Sequence, residues 1–368
     1  MNRTDIYYWK CDRPSAFRTL KNIASAEESI IIALQLRTVL VRYFNNSDFQ
    51  ISPGTGQGNH ATFLAYNGGK TFFIRLENGP EKDNYMVVEQ KLVDTIRALG
   101  VPTAHIYQTD VSRQEVDFAF QLMEFMDHPD LNQIYKSKKL DFIKIAFEIG
   151  KYIATWQEIT PPGFGPFNTD LLLKEGRLEG LHADYRSYFF LNLQKHLDFL
   201  CSRNFLTRQQ ALDIRHTIDC HKCFLQLQQG CLVHKDMALW NLLGTGNEIK
   251  AVIDWDDAIT GDPTDDLSLL ACFHDQDVID AAVSGYSSIK ELPEEFETRF
   301  YLHLLRNMIV KAVIRVGGNY FEKKDDFFLI EAGEEGSSLE QFTRDRILNA
   351  TKVLKNKIPA DFIKASFD

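Results

Sequence analysis

Apolar residues recur at helical spacing through "SAEESIIIALQLRTVLVRYF", and Ser25 stands three residues ahead of Glu28 as in a capping box, which predicts a helix over 25–44. The pattern then changes period. "FQISPGTGQGNHATFLAYNGGKTFFIRLEN" reads as strand, glycine-rich turn, strand, Asn-Gly-Gly turn and strand, an antiparallel meander. A helix is predicted through "NYMVVEQKLVDTIRALG", closed by Gly100 with Pro102 beyond it, and two further strands cover "AHIYQTD" and "DFAFQLMEFM". From Asp130 onward helical periodicity dominates. The pattern predicts an α+β chain of two lobes, an antiparallel β-rich lobe over 25–126 and a mainly helical lobe over 127–368. Residues 1–24 precede them as an extension whose aromatic residues pack on the body.

One stretch breaks the pattern. "LVHKDMALWNLL" sets His234, Lys235, Asp236 and Asn241 inside an apolar run, and a Gly244–Asn247 turn then leads to a second apolar strand that delivers Asp254. Asp236, Asn241 and Asp254 are thereby brought to one end of a small hairpin. Phosphoryl transfer needs such a set: one carboxylate to orient and deprotonate an attacking hydroxyl, and an amide with a second carboxylate to hold Mg²⁺ against the ATP phosphates. An alcohol has a high pKa, so Asp236 acts mainly by positioning and late proton acceptance.

Composition narrows the partners. The net charge of −10, from 41 Lys and Arg against 51 Asp and Glu, leaves no basic surplus to replace counterions along a nucleic acid. No apolar run approaches a membrane span and "MNRTDIYYWKCDRPSAF" lacks a signal-peptide core, so the expectation is a cytoplasmic protein with no membrane partner. The six cysteines then read as reduced packing residues, and "CHKC" at Cys220–Cys223 lacks a second pair to complete a zinc site.

His234-x-Asp236 with Asn241, followed by "VIDWDDAITGDPTDDL", resembles the aminoglycoside phosphotransferase superfamily, which has a protein-kinase-like fold. "GFGPF" at Gly163–Phe167 and "IKAVIDW" are most similar to its hygromycin B phosphotransferase type. The resemblance covers about 25–320. It implies that Asp236 is the catalytic base, that Asn241 and Asp254 are metal ligands, that His234 braces the loop, and that Asp266 ties the following helix to it. For Asp266 a plain helix cap is the alternative. Asp256 is either a metal contact or a solvated carboxylate. Lys235 stands where the family has a small residue, and reads as a phosphate contact or a surface lysine.

In the first lobe "SPGTGQGN" places Gly54, Gly56 and Gly58 where backbone N–H groups would cover ATP phosphates, although glycine-rich hairpin turns are common without that role. Arg75 occupies the position of the kinase lysine, with Glu89 its expected partner; an edge-strand surface residue is the other reading. "QLMEFM" resembles the hinge, where adenine would bond to the Glu124 carbonyl and the Met126 N–H. The resulting expectation is an ATP- and Mg²⁺-dependent kinase for a hydroxyl-bearing small molecule, with a nucleotide-binding pseudokinase or regulatory module as the alternative. A protein kinase is disfavoured because no Ala-Pro-Glu-type segment follows Asp254. Nine aspartates and no Lys or Arg lie between Asp254 and Asp280, so Asp275 and Asp277 are candidates to attract a cationic acceptor such as an aminoglycoside, against the reading of a solvated surface.

Overall fold

The computed structural model describes residues 2–17, 26–54, 60–322 and 337–356. They divide into two compact units, one within Arg18–Asp127 and Thr169–Arg177, the other within Arg3–Phe17, His128–Asn168 and Leu178–Asp368. The first unit's main span ends at Asp127. Residues 3–17 group with the second unit, where they form a single helical turn, α1 (Trp9–Asp12), and bury Tyr7, Tyr8 and Trp9.

The first unit begins with α2 (Ala26–Phe44); Ser25 and its capping box lie outside the described residues. Ile32, Leu36, Val39 and Leu40 fall on one face of this helix and are buried in one core with Phe63, Ile74, Leu76, Phe120 and Leu122. Those partners come from β2 (Ala61–Asn67), β3 (Lys70–Glu77) and β5 (Ala119–Glu124); β1 (Gln50–Pro53), α3 (Met86–Ala98) and β4 (Ile106–Asp110) are the unit's other elements in this stretch. The strands form an antiparallel sheet in the order β1-β2-β3-β5-β4. Between β2 and β3 the chain turns on Gly68 and Gly69, with φ of 54° and 93°, values that a side chain would resist and that match the twist of the flanking strands.

The second unit continues through α4 (Leu131–Lys136), α5 (Phe142–Trp156) and β6 (Phe164–Phe167). The short helix α6 (Thr169–Glu175) groups with the first unit. There follow β7 (Gly180–His182), α7 (Tyr185–Phe190), α8 (Leu193–Ser202) and α9 (Arg208–Cys220). Next come β8 (Cys231–Val233), the hairpin β9 (Leu242–Thr245) and β10 (Glu248–Val252), and β11 (Ile259–Gly261). Strands β7-β6-β11-β8 make a small antiparallel sheet that anchors the two ends of the catalytic region. The chain closes with α10 (Asp265–Leu270), α11 (Gln276–Ser287), α12 (Phe296–Gly317) and α13 (Ser337–Lys355).

Helix α12 is buried on nearly every side, yet it carries Arg299, His303, Arg306, Asn307, Lys311 and Arg315. Such a helix is stable only if each polar group finds a partner. Arg299 makes a bidentate pair with Asp262 through Nε and Nη2 at 2.9 and 2.8 Å, and Arg306 donates to the carbonyls of Phe189 and Leu191. Asn307 donates to Asp265 at 2.8 Å.

Helices α5 and α11 cross with almost no space between their backbones. A Cβ on Gly150 would lie 1.8 Å from the Ala282 carbonyl oxygen, and one on Gly285 would lie 1.9 Å from that of Phe147. Gly285→Ala tests this crossing. In an open helix the change would stabilise by up to ~1 kcal/mol. Here overpacking of ~1–3 kcal/mol opposes and outweighs that gain, and the melting temperature is expected to fall by several degrees. A rise in Tm would mean that the two helices separate without penalty.

Candidate active site

Strand β8 delivers the chain to His234, and a 3₁₀ turn over Leu239–Asn241 leads it back out into β9. Three groups fix the loop between them. The Asp266 carboxylate, at the start of α10, accepts the backbone N–H groups of His234 and Lys235 at 2.9 and 3.0 Å and the Trp156 indole at 3.2 Å. The His234 ring lies 3.0 Å from the Ile253 carbonyl at Nε2 and accepts the Asp236 N–H at Nδ1, at 3.3 Å, which together require the proton on Nε2. Its face meets Trp255 at 4.4 Å. Asn241 donates Nδ2 to the Asp236 carbonyl at 2.7 Å and to its Oδ2 at 3.2 Å, and Ile253 N–H donates back to the Asn241 carbonyl at 2.9 Å. Asp236, Asn241 and Asp254 are thus held by one hydrogen-bonded hairpin.

Two residues of this region have left-handed backbone, Lys235 with φ 69° and Asp254 with φ 65°. Each costs ~1–2 kcal/mol for a residue bearing a Cβ, so both are held by their surroundings. The backbone at position 235 explains why a small residue was expected there. Neither reading of the Lys235 side chain holds. It is buried, with Nζ 2.6 Å from Asp265, 3.2 Å from the Tyr7 hydroxyl and 3.1 Å from Asn307 Oδ1. Burial alone would lower its pKa, but Asp265 and Tyr7 hold it above the ordinary lysine range.

Asp236 has partners that the sequence did not suggest. Its Oδ1 accepts from the Tyr8 hydroxyl at 2.8 Å and from the Lys311 ammonium at 2.9 Å. Burial pushes this carboxyl up, and Lys311, Lys10 and Tyr8 outweigh that and hold it well below the usual carboxylate range. Tyr8 comes from the N-terminal segment, which Asp12 pins: Oδ2 accepts the N–H groups of Tyr7 and Tyr8 at 3.2 Å each, and Oδ1 meets His196 at 2.9 Å. The Tyr188 hydroxyl donates to the Tyr7 carbonyl, and the Arg306 guanidinium lies 3.6 Å over the Tyr7 ring. No local motif announces Tyr8. For Lys311 a signal existed, basic residues at three- to five-residue spacing, His303 among them, inside the otherwise apolar "RFYLHLLRNMIVKAVIRV".

The acidic run is largely spent on structure. Asp256 is buried and paired with Arg3 at 3.1 Å, so it is not a solvated carboxylate. Asp262 serves Arg299, and Asp265 serves Lys235 and Asn307. Asp275 and Asp277 begin α11 at the exposed surface, Asp275 lies 3.6 Å from Arg346, and neither lines the cavity beside Asp236. Asp257 is pushed up to about 7 by burial and by Asp256, Asp236 and Asp254, with Arg3 opposing. Crowded carboxylates of this kind suit a divalent cation, which relieves their repulsion. Asn241 fits as a hard ligand, since its amide nitrogen is committed to Asp236 and its oxygen is left for the cation.

In the first unit Arg75 lies in the middle of the sheet, opposite Thr62 and Gln121, and is buried with its guanidinium on the Glu89 carboxylate. The edge-strand reading of Arg75 therefore fails. Gly54 donates its N–H to the Thr62 carbonyl at 2.7 Å, and a Cβ there would lie 2.6 Å from Thr62 Oγ1. Gly56 and Gly58 lie outside the described residues. Glu124 ends β5, with its side chain accepting the His105 N–H at 3.1 Å, and Met126 follows two residues later, half-buried.

Fold and loop together define a kinase-like phosphotransferase. The structure is similar to that of aminoglycoside phosphotransferase APH(4)-Ia, with a TM-score of 0.60 and 13% identity over 86% of this chain and 99% of that one. It is also similar to proposed fructosamine-3-kinases from Thermobifida fusca YX-ER1 (TM-score 0.58, 17% identity, 86% of this chain and 99% of that one) and Haemophilus somnus 129PT (0.56, 13%, 86% and 99%). These likenesses establish the α+β, bilobal, protein-kinase-like class. The chain belongs to the phosphotransferase enzyme family, APH, whose pattern matches residues 51–301, and it is a small-molecule kinase with an alcohol group as acceptor. A search of curated protein sequences found no match. Among the described residues no helix is long and apolar enough to cross a membrane.

Proposed function

We propose that the protein transfers the γ-phosphate of ATP, with Mg²⁺, to the hydroxyl of a small molecule in the cytoplasm. The observation that carries this reading is a hydroxyl already seated on the Asp236 carboxylate: Tyr8 makes, at 2.8 Å, the hydrogen bond that an acceptor alcohol would make. The acceptor oxygen forms the new bond to phosphorus, the bond from γ-phosphorus to the bridging oxygen breaks with its electron pair leaving on ADP, and the hydroxyl proton passes to Asp236. Asn241 and Asp254 would hold the metal, whose charge offsets that of the phosphates. His234 and Asp266 keep the loop in register. Residues 25–126 would form the nucleotide-binding lobe, with Gly54, Gly56 and Gly58 over the phosphates, Arg75 and Glu89 at the phosphate end, and the Glu124 carbonyl and Met126 N–H on adenine; residues 127–368 would carry the chemistry. Ternary complexes of an APH(4)-Ia variant with ADP and hygromycin B, and of another with AMP-PNP and hygromycin B, support a nucleotide donor.

The test is ADP release from ATP and Mg²⁺ with a panel of hydroxylated acceptors, and with EDTA as control. Acceptor-dependent, EDTA-sensitive release is expected; nucleotide binding without release under any acceptor would favour the pseudokinase. Arg75→Met is expected to weaken MgATP binding about tenfold, the scale of one charge-assisted hydrogen bond, with Arg75→Lys recovering part because charge survives without the planar fork. Calorimetric affinities equal across the three proteins would remove Arg75 from the nucleotide site.

A further inference from the structure

The hydroxyl seated on the Asp236 carboxylate belongs to the protein itself, and its surroundings fix it there. Tyr8 Oη donates to Asp236 Oδ1 at 2.8 Å, and the Lys311 ammonium, 2.9 Å from the same carboxylate oxygen, lies 3.4 Å from Tyr8 Oη. The segment that carries Tyr8 is clamped along its length. Arg3 pairs with Asp256 at 3.1 Å, and Asn192 donates to the Asp5 carbonyl at 2.9 Å. Tyr188 donates to the Tyr7 carbonyl at 2.9 Å, and the buried Asp12 carboxylate accepts the N–H groups of both Tyr7 and Tyr8. Withdrawing Tyr8 would break these contacts together, a buried ion pair among them.

Space points the same way. The cavity beside Asp236, lined by Tyr8, Trp240, Phe273 and Lys311 among others, measures about 40 Å³. That is room for about three waters, whereas a site for a separate small molecule takes ~300 Å³ or more. While Tyr8 stays in place, Asp236 therefore has no room for a second alcohol of metabolite size, yet there is space beside the Tyr8 hydroxyl for the oxygens of one phosphoryl group. Burial, and then Asp236, push the Tyr8 phenol well above the ordinary tyrosine range, so it stays protonated, while Lys311 overcomes burial and keeps Asp236 ionised.

On the premise that Asp236 and ATP act as proposed above, we infer that the protein phosphorylates its own Tyr8, within one chain and once per chain. The Tyr8 oxygen forms the new bond to the γ-phosphorus of ATP, and the bond from that phosphorus to the bridging oxygen breaks with its electron pair leaving on ADP. The phenolic proton becomes acidic as its oxygen bonds to phosphorus and passes late to Asp236. Lys311, already within reach of both oxygens, is left beside the new phosphate and offsets its charge. The product can no longer donate to Asp236, which ends the pairing that occupies the base.

The full chain is treated with a phosphatase, which is then removed, and its intact mass confirms that it starts unphosphorylated. It is then incubated with Mg²⁺ and γ-labelled ATP and no acceptor. One label per chain is expected, on Tyr8 by peptide mass spectrometry, with a first-order rate constant unchanged when the protein is diluted about a hundredfold. Label on another residue, or a rate constant that falls on dilution, overturns the inference. An unlabelled protein that releases ADP with any hydroxylated acceptor also overturns it and leaves the phosphotransferase reading standing; neither label nor ADP release overturns both. Tyr8→Phe, which removes one oxygen and keeps the ring, is expected to abolish labelling, and if it fails to fold the peptide map of the native chain decides. Asp236→Asn is expected to slow labelling at least ~100-fold, and labelling at the native rate in that variant overturns the assignment.

Discussion

Asp236→Asn is expected to lower phosphoryl transfer at least ~100-fold while leaving MgATP affinity nearly intact, the scale of a lost positioned base. The side chain keeps its shape, so the argument rests on hydrogen-bond polarity. Every group that meets the Asp236 carboxylate is a donor: the Tyr8 hydroxyl and Lys311 ammonium at Oδ1, and Asn241 Nδ2 at Oδ2. An amide must turn its own NH₂ against one of them, and it accepts no proton from the attacking alcohol. Lys311 holds the native carboxyl ionised against the pull of burial, so at neutral pH it orients the alcohol throughout and takes the proton late. Single-turnover product formation would measure the loss, with calorimetry of MgATP as control. Turnover within tenfold of the native protein would remove Asp236 from this role.

Lys235→Met should destabilise the second unit by about 3–5 kcal/mol, because it strips the ammonium from a carboxylate that stays buried. Asp265 would keep Asn307 at 2.8 Å and the more distant His303, and would lose its contact of 2.6 Å. Methionine has similar length, so packing and the left-handed backbone change little and the loss reports on charge. A Tm drop of roughly 10 °C is expected, with a partial return in Lys235→Met/Asp265→Asn, where no ion is left unpaired. The pH dependence has a definite sign. Burial pushes Asp265 up, and Lys235 and His303 bring it below its ordinary value. A depressed carboxyl contributes stability above its unfolded pKa of ~3.9 and loses it as pH falls through the lower folded value. Without Lys235 the burial effect is less opposed, and acid unfolding should begin at higher pH. A variant as stable as the native protein would show that the pair contributes nothing net.

The elements of the first unit were legible because each is specified locally: a helical stripe in α2, alternation in β2, and Gly68-Gly69 between β2 and β3. The same holds for the catalytic hairpin, where polar residues interrupt an apolar run at fixed spacing. What escaped the sequence depends on contacts between distant segments. Tyr8 reaches Asp236 across 228 residues and Lys311 reaches it across 75, and no period connects them. Charge density misled for a related reason. Asp275 and Asp277 are near Asp254 in the chain, but α10 intervenes and α11 starts at the surface, so closeness in sequence did not become closeness at the site. Lys235 reads as polar in a polar loop, and only the fold reveals that Asp265 and Asn307 enclose it.

The contact between Tyr8 and Lys311 joins two segments 303 residues apart in the order of synthesis. At ~5–20 residues per second, about 15–60 s separate the synthesis of the two. During that interval the segment 3–17 has no docking helix and the base has no ammonium beside it. A nascent chain that already carries Asp236, Asn241 and Asp254 therefore cannot yet assemble the pocket in which they work, and competence arrives only when α12 has been released. Any peptide fused ahead of Arg3 would ride on a segment that docks only once α12 has been made.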